Sequence, residues 1–199
     1  MSKYILGAGG HCRALLSLLE KLGVVVNGIY DDNFQSEENI FCVPLLGNFA
    51  DVPESGHLII ASGSPETRSR WVTKFANIDQ QKYIDPTAFV DTRVELAEGV
   101  HVLGHAYINC AARIGRHVLL NTKCLVEHES EIGEFSHLAV GAIVCGRCQI
   151  GARVYIGAGA VVKDRVKICS DVMLGAGAVA VSDINEPGTY VGVPARKIK

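Results

Sequence analysis

The chain has one tryptophan, two methionines and six prolines in 199 residues, and only 7% of it is aromatic. It also lacks an excess of either charge, with 19 Lys and Arg against 21 Asp and Glu for a net charge of −2. No apolar stretch approaches the ~18 residues of a membrane-spanning helix, so no membrane association is expected. The start, Met1-Ser2-Lys3-Tyr4, runs into a strand rather than a signal peptide, and the expectation is a soluble cytoplasmic protein. Seven cysteines form an odd set without disulfide-framework spacing, which predicts reduced thiols. Cys145-Gly146-Arg147-Cys148 is a single C-x-x-C with no second ligand pair, so no metal is expected. Residues 1–140 carry 11 Lys and Arg against 17 Asp and Glu, whereas residues 141–199 carry 8 against 4. A basic end of that kind suits a polyphosphate ligand, but aromatics are not interleaved with it, which excludes a nucleic-acid partner.

What the chain has in quantity is a period of six. An aliphatic residue recurs at every sixth position from Ile84 to Leu174, sixteen times without a miss. The position two before each is small or β-branched, as at Ala88, Ala106, Cys124, Ser130, Ser136 and Cys148. Six fits no helix face, whereas in extended backbone residues two apart share a side. Each hexapeptide therefore buries one small and one large residue and then turns a corner, and such repeats stack into a parallel β-helix. Three repeats per coil and ~4.8 Å between strands give a prism about 25 Å tall over residues 84–180. In this register Cys124 and Cys148 point inward. After residue 184 the period breaks at Asn185-Glu186-Pro187-Gly188, and the end of the chain is expected to fold over the last coil.

Residues 1–80 read differently. A strand (Lys3–Leu6), a glycine turn (Gly7-Ala8-Gly9-Gly10), a helix (His11–Leu22) and a strand (Val24–Tyr30) ending at Asp31-Asp32 form a βαβ unit. A second apolar run, His57–Ala61, ends at Ser62-Gly63-Ser64-Pro65, where Ser64 and Pro65 are suited to open a helix reaching about Ala76. The predicted fold is an α/β Rossmann-like domain over 1–80 followed by an all-β parallel β-helix domain with a C-terminal tail over 81–199.

Two clusters carry chemistry. Gly7, Gly9 and Gly10 before a helix present backbone N–H groups to an anion, and Asp31 and Asp32 lie where acidic residues contact a ribose or base. Cys12 stands at the third glycine of a dinucleotide fingerprint, which favours a nucleotide or nucleotide sugar over NAD. The second cluster is Asn121, Glu127-His128-Glu129 and His137. The register puts His128 at a corner and His137 outward on a flat face, so neither is a core histidine. A carboxylate beside an imidazole fixes its tautomer and favours its protonated form.

These motifs, with Val191-Gly192-Val193-Pro194-Ala195-Arg196, resemble the NeuD/PglD-like family of sugar O- and N-acetyltransferases. The resemblance spans the whole chain and implies a left-handed β-helix assembled as a homotrimer with sites in the clefts between subunits. It implies acetyl-CoA as co-substrate and His128 as general base. Glu129 raises its basicity, and Asn121 is a polar neighbour. It places His137 and Gly146 near the thioester carbonyl, and Ala158 and Ala176 along the acetyl-CoA channel. Gly9, Gly10, His11, Asp31, Asp32 and Gly63 match the nucleotide-sugar site. The departures are Cys12 for the usual glycine and Ser64 after Gly63. The implied reaction is N-acetylation of a nucleotide-linked amino sugar, a UDP-4-amino-4,6-dideoxy sugar by preference, in bacterial glycan biosynthesis. O-acetylation of a sialic acid and a non-catalytic nucleotide-sugar scaffold are the alternatives.

Overall fold

The computed structural model describes residues 1–33 and 39–199. Contacts divide them into two compact units, Met1–Gly63 with Thr67–Gln80, and Ser64–Glu66 with Gln81–Lys199.

The first unit is a five-stranded sheet with two helices. Strands β1 (Lys3–Leu6), β2 (Gly28–Tyr30), β3 (Asn39–Ile40), β4 (Val43–Gly47) and β5 (His57–Ile60) lie in the order β3-β4-β2-β1-β5. The pairs β1–β2, β1–β5 and β2–β4 are parallel, and β3–β4 is an antiparallel hairpin. Helices α1 (Gly10–Lys21) and α2 (Pro65–Lys74) follow β1 and β5. Strand β2 is shorter than the sequence suggests, because Asn27 accepts the Lys3 N–H on its side-chain oxygen at 3.0 Å and takes the chain out of the ladder. Helix α2 likewise stops at Lys74 rather than near Ala76. Leu15, Leu18 and Leu19 of α1 are buried, at the three- and four-residue spacing of one helix face. A second cluster of Leu6, Tyr30, Leu58, Ile60 and Trp71 is flanked by Phe49 and Phe75. Lys3 pairs with the buried Asp79 and ties β1 to the segment beyond α2.

The second unit is a parallel β-helix with three faces. The first carries Tyr83–Ile84, His101–Val102, Leu119–Leu120, His137–Leu138, Tyr155–Ile156 and Val172–Leu174. The second carries Phe89–Val90, Tyr107–Ile108, Leu125–Val126, Ile143–Val144, Val161–Val162 and Val179–Ala180. The third carries Glu95–Leu96, Arg113–Ile114, Glu131–Ile132, Gln149–Ile150 and Lys167–Ile168. Strands pair with those 18 residues away, as Val126 with Val144 and Ile132 with Ile150. The six-residue stripe forms the core: Val102, Ile108, Leu120, Val126, Leu138, Val144, Ile156, Val162 and Leu174 are all fully buried. Inward serines close the polar account, since Ser136 Oγ donates to the Gly151 carbonyl at 2.9 Å and accepts the Val154 N–H at 2.9 Å. The end of the chain adds Gly188–Val191, parallel to Val172–Leu174, and Arg196–Lys197, antiparallel to Gly188–Val191, to the first face.

Corners explain why glycine is a poor guide to this unit. Positive φ recurs every six residues from Gly99 to Gly177, yet most of those positions hold other residues, among them His117, Glu129, Phe135, Arg147 and Asp171. The left-handed turn costs about 1 kcal/mol without glycine. It also aims that residue's N–H at the preceding coil, as Glu129 N–H to Cys110 O at 3.0 Å and Arg147 N–H to His128 O at 3.0 Å. The hydrogen bond offsets the strain. No helix among the described residues is long and apolar enough to cross a membrane.

Candidate active site

The edge between the second and third faces is a column of three-residue corners stacked 18 apart: Asn109-Cys110-Ala111, Glu127-His128-Glu129, Cys145-Gly146-Arg147 and Lys163-Asp164-Arg165. His128 Nδ1 lies 3.1 Å from Glu129 Oε2. An ionised carboxylate only accepts, so in the neutral ring this contact places the proton on Nδ1 and makes Nε2 the acceptor. Glu129 is ionised at neutral pH, because hydrogen bonds from His128 and then Arg147 hold its carboxyl below the usual range. Arg147 Nε donates to the same oxygen at 2.9 Å. On the other side, Glu127 Oε2 accepts the Asn109 amide at 2.7 Å and the His128 backbone N–H at 3.2 Å.

Nε2 faces Gly146. A Cβ at that position would lie 2.8 Å from both His128 Nε2 and Cε1, and 3.0 Å from Asp164 Oδ1. The missing side chain is what lets the ring sit there, with Asp164 across from it. Cys145 borders this space, its thiol pushed up first by burial and then by the charges of Asp164 and Glu127. A carboxylate-braced imidazole with an open Nε2 is equipped to take a proton from a bound nucleophile.

The edge between the first and second faces holds the rest of the prism's candidates. Asn121 Nδ2 donates to His137 Nε2 at 3.1 Å, its orientation fixed because its Oδ1 accepts the Thr122 N–H at 2.8 Å. His137 points outward as its register requires, yet is only 5% exposed and meets the Tyr155 ring edge-on at 5.0 Å. The outward register holds, but the expectation that His137 is not a core histidine is corrected by that burial, which alternation along one strand does not reveal. Ala158 and Ala176 are exposed and stack one coil apart on this same edge, the Gly177 N–H donating to Ala158 O at 2.8 Å. Within one chain the structure therefore brings His128, Glu129 and Gly146 together on one edge and Asn121, His137, Ala158 and Ala176 on another. Cys124 and Cys148 are buried in the core, their thiols pushed up by burial to about 12 and about 11.

In the α/β unit, the candidates gather at the C-terminal ends of β1, β2 and β5, where ligands bind to open α/β sheets. Gly7 has φ +99, and a Cβ there would meet Ala61 O at 3.0 Å and the Trp71 ring at 3.2 Å. Gly9 and Gly10 have open space where a side chain would project, and α1 begins without a capping side chain or an acidic first turn. Asp31 is committed to the protein, accepting the Ala8 N–H at 2.7 Å and the Asn33 N–H at 2.8 Å. Asp32 is exposed and uses one oxygen on the Phe49 N–H at 3.1 Å. His11 stays neutral, pushed down to about 4 by burial and then by the charge of Arg68. Arg68 is itself buried, pushed down to about 9 by that burial, and donates to the Ser62 carbonyl at 2.9 Å beside Gly63. A cavity of about 450 Å³ opens beside Asp31, Asp32 and Asn33, walled by Arg70, Trp71 and Lys74 of α2.

The sequence reading missed Asn109, Arg147 and Asp164 as members of the His128 column, and Arg68, Arg70 and Lys74 on α2. The first three were within reach, since they lie 19 before, 19 after and 36 after His128, one or two coils away. Nothing in the spacing of α2 announced the others. Among the described residues, no group of three or more His, Cys, Asp or Glu is placed to hold a metal ion.

Residues 4–75 match the PglD N-terminal domain, and residues 129–164 and 147–180 match the bacterial transferase hexapeptide (six repeats). PerB from Caulobacter crescentus, solved in complex with CoA and GDP-perosamine, is 30% identical with a TM-score of 0.92, over 100% of this chain and 98% of that one. A histidine-to-alanine mutant of GDP-perosamine N-acetyltransferase from the same organism is 29% identical with a TM-score of 0.94, over 100% and 97%. The acetyltransferase domain of PglB from Neisseria gonorrhoeae, in complex with acetyl coenzyme A, is 28% identical with a TM-score of 0.88, over 99% and 98%. An α/β unit ahead of a β-helix whose corner holds a carboxylate-braced histidine defines a hexapeptide-repeat acyltransferase. The chain belongs to the NeuD/PglD-like family of sugar acetyltransferases.

Proposed function

We propose that the protein transfers the acetyl group of acetyl-CoA to the amino group of a nucleotide-linked amino sugar. The observation that carries this reading is the His128–Glu129 contact, which in the neutral ring leaves Nε2, facing Gly146, as the proton acceptor. A sugar amine is mostly protonated near neutral pH and attacks only after losing that proton. His128 Nε2 takes the proton, the amine attacks the thioester carbonyl, and the tetrahedral intermediate collapses with the coenzyme A thiolate leaving. The imidazolium returns its proton to the thiolate or to water. Glu129 supports the positive imidazolium, and backbone N–H groups or His137 stabilise the oxyanion, each such donor worth about 2.7–4 kcal/mol. Direct attack requires no acyl-enzyme, and Cys124 is excluded as a nucleophile because its thiol is buried in the core.

The uncapped start of α1, Gly9 and Gly10 accept the diphosphate, with His11 and Gly63 beside it. Asp32 and the cavity next to it take the nucleoside, with Asp31 bracing the turn. The preference for UDP gives way to an open choice of base, because the structures with acceptor bound hold GDP-perosamine. A homotrimer is supported by the second face, whose outward residues Phe89, Tyr107, Leu125, Ile143, Val161 and Val179 are apolar, while the third face shows Glu95, Arg113, Glu131, Gln149 and Lys167. The second face separates the His128 edge from the Asn121–His137 edge. Packing it around a three-fold axis brings one edge of a subunit to the other edge of its neighbour, so that His137, Ala158 and Ala176 of one copy join His128 and Gly146 of the next. Coenzyme A release, screened against UDP- and GDP-linked amino sugars and free sialic acids, tests the reading. Release with the nucleotide-linked amines alone is expected, and release with free sialic acid alone would replace it by O-acetylation.

A further inference from the structure

Arg147 is the one cation in direct contact with the carboxylate that braces the proposed base, among the described residues. Glu129 and Arg147 occupy the same left-handed corner position in successive coils, with φ 59 and 57, so their side chains leave the backbone in register. The Arg147 N–H donates to the His128 carbonyl at 3.0 Å, which anchors the guanidinium's own backbone to the residue it influences. Its Nε then reaches Glu129 Oε2 at 2.9 Å, and His128 Nδ1 reaches that oxygen at 3.1 Å. One oxygen serves two donors.

We infer that Arg147 is a positioning residue that limits the basicity of His128, by sharing Glu129 Oε2 with its Nδ1 and by placing a fixed positive charge beside the ring. The inference rests on His128 being the base. An imidazole braced by an unshared carboxylate holds its proton more tightly and is emptied of its accepting form as the pH falls toward neutral. Arg147 counters that by drawing on the same oxygen, while Glu129 still fixes the tautomer. The other ionisable groups in the stacked corners are Glu127 beside His128, Cys110 in the coil before, Cys145 in the coil after, and Lys163, Asp164 and Arg165 two coils after, with Asp164 and Arg165 3.4 Å apart. Glu127, Glu129 and Asp164 are acidic. Arg165 is committed to Asp164, and Arg147 is the cation on Glu129.

The test is a pH titration of the His128 Cε1–H signal by NMR in the full-length chain without substrate, the signal being assigned by its loss in His128→Ala. In Arg147→Gln the midpoint should move up by about half a pH unit, the effect of removing one like charge bonded to the same carboxylate oxygen in a solvent-exposed site. Arg147→Lys, which keeps the charge, should restore most of the parent midpoint. Both side chains are exposed enough for the variants to fold, and a thermal melt verifies this; if Arg147→Gln does not fold, the same rise is required of Arg147→Met. An unchanged or lower midpoint in the folded neutral variant overturns the inference. That result would leave the catalytic assignment standing, because loss of coenzyme A release in His128→Ala judges the base separately.

Discussion

The two units place functional groups by opposite means. In the prism every coil repeats the one before, so two residues 18 apart are neighbours whatever lies between them, and a site is written vertically down one edge. In the α/β unit nothing repeats: Asp31 reaches Ala8, Arg68 reaches Ser62 and Asp32 reaches Phe49, each across a different loop. The prism gives a rigid corner on which an imidazole and a carboxylate hold one geometry, as a proton transfer requires. The α/β unit gives loops at strand ends, which can change base or sugar preference without disturbing a core.

If that division is right, the largest effects belong to the prism. Ile132→Asp puts a carboxylate at a position only 2% exposed and should cost several kcal/mol in a denaturant melt, whereas Gln149→Ala, outward on the same face, should be near neutral. Equal stability of the two would break the register. His128→Ala should stay folded and still bind acetyl-CoA while losing about 10²–10⁴ in turnover, with partial recovery at high pH where the amine is already free. Near-normal turnover at neutral pH would move the base elsewhere, His137 being next.

Gly146→Ala sharpens the geometry. Its methyl would push the His128 ring and Asp164 aside without touching the core, so turnover should fall by about tenfold or more at an unchanged melting temperature. On the α/β side, Asp32→Ala should weaken acceptor binding with little change in acetyl-CoA affinity, and calorimetry showing unchanged nucleotide-sugar binding would relocate that site. The last test is a pH signature of the first unit. His11 binds its proton at about 4 when folded and near 6.5 when unfolded, so the unfolded chain holds more protons between those values. Stability should therefore be full above pH 6.5 and decline as the pH falls toward 4, and His11→Gln should flatten that part of the profile in melts run across the range.

Legibility followed the same division. The sixteen-fold stripe made the β-helix readable, and the αβ alternation revealed β1, α1, β5 and α2. The hairpin β3–β4 went unseen, because Asn39–Gly47 mixes Phe41, Cys42 and Pro44 without alternation, and two residues, Phe41 and Cys42, take positive φ with no glycine to mark the turn. At the site, the adjacency of Glu127, His128 and Glu129 was visible as a string of letters. The separation of Asn121 and His137 onto another edge was not drawn from the string, although the register implies it.

The sequence by itself determined the prism and its register, since a hydrophobic residue every sixth position has one way to bury itself. It also determined that His128 stands at a corner next to a carboxylate. Only the tertiary structure decided which oxygen His128 and Arg147 share, that Gly146 leaves room for the ring, that Asp31 is spent on the Ala8 N–H, and that Arg68 lies buried near His11. The reason is physical: burying apolar surface is non-directional and is encoded by spacing alone, while hydrogen bonds and ion pairs depend on where side-chain ends arrive after the backbone has closed.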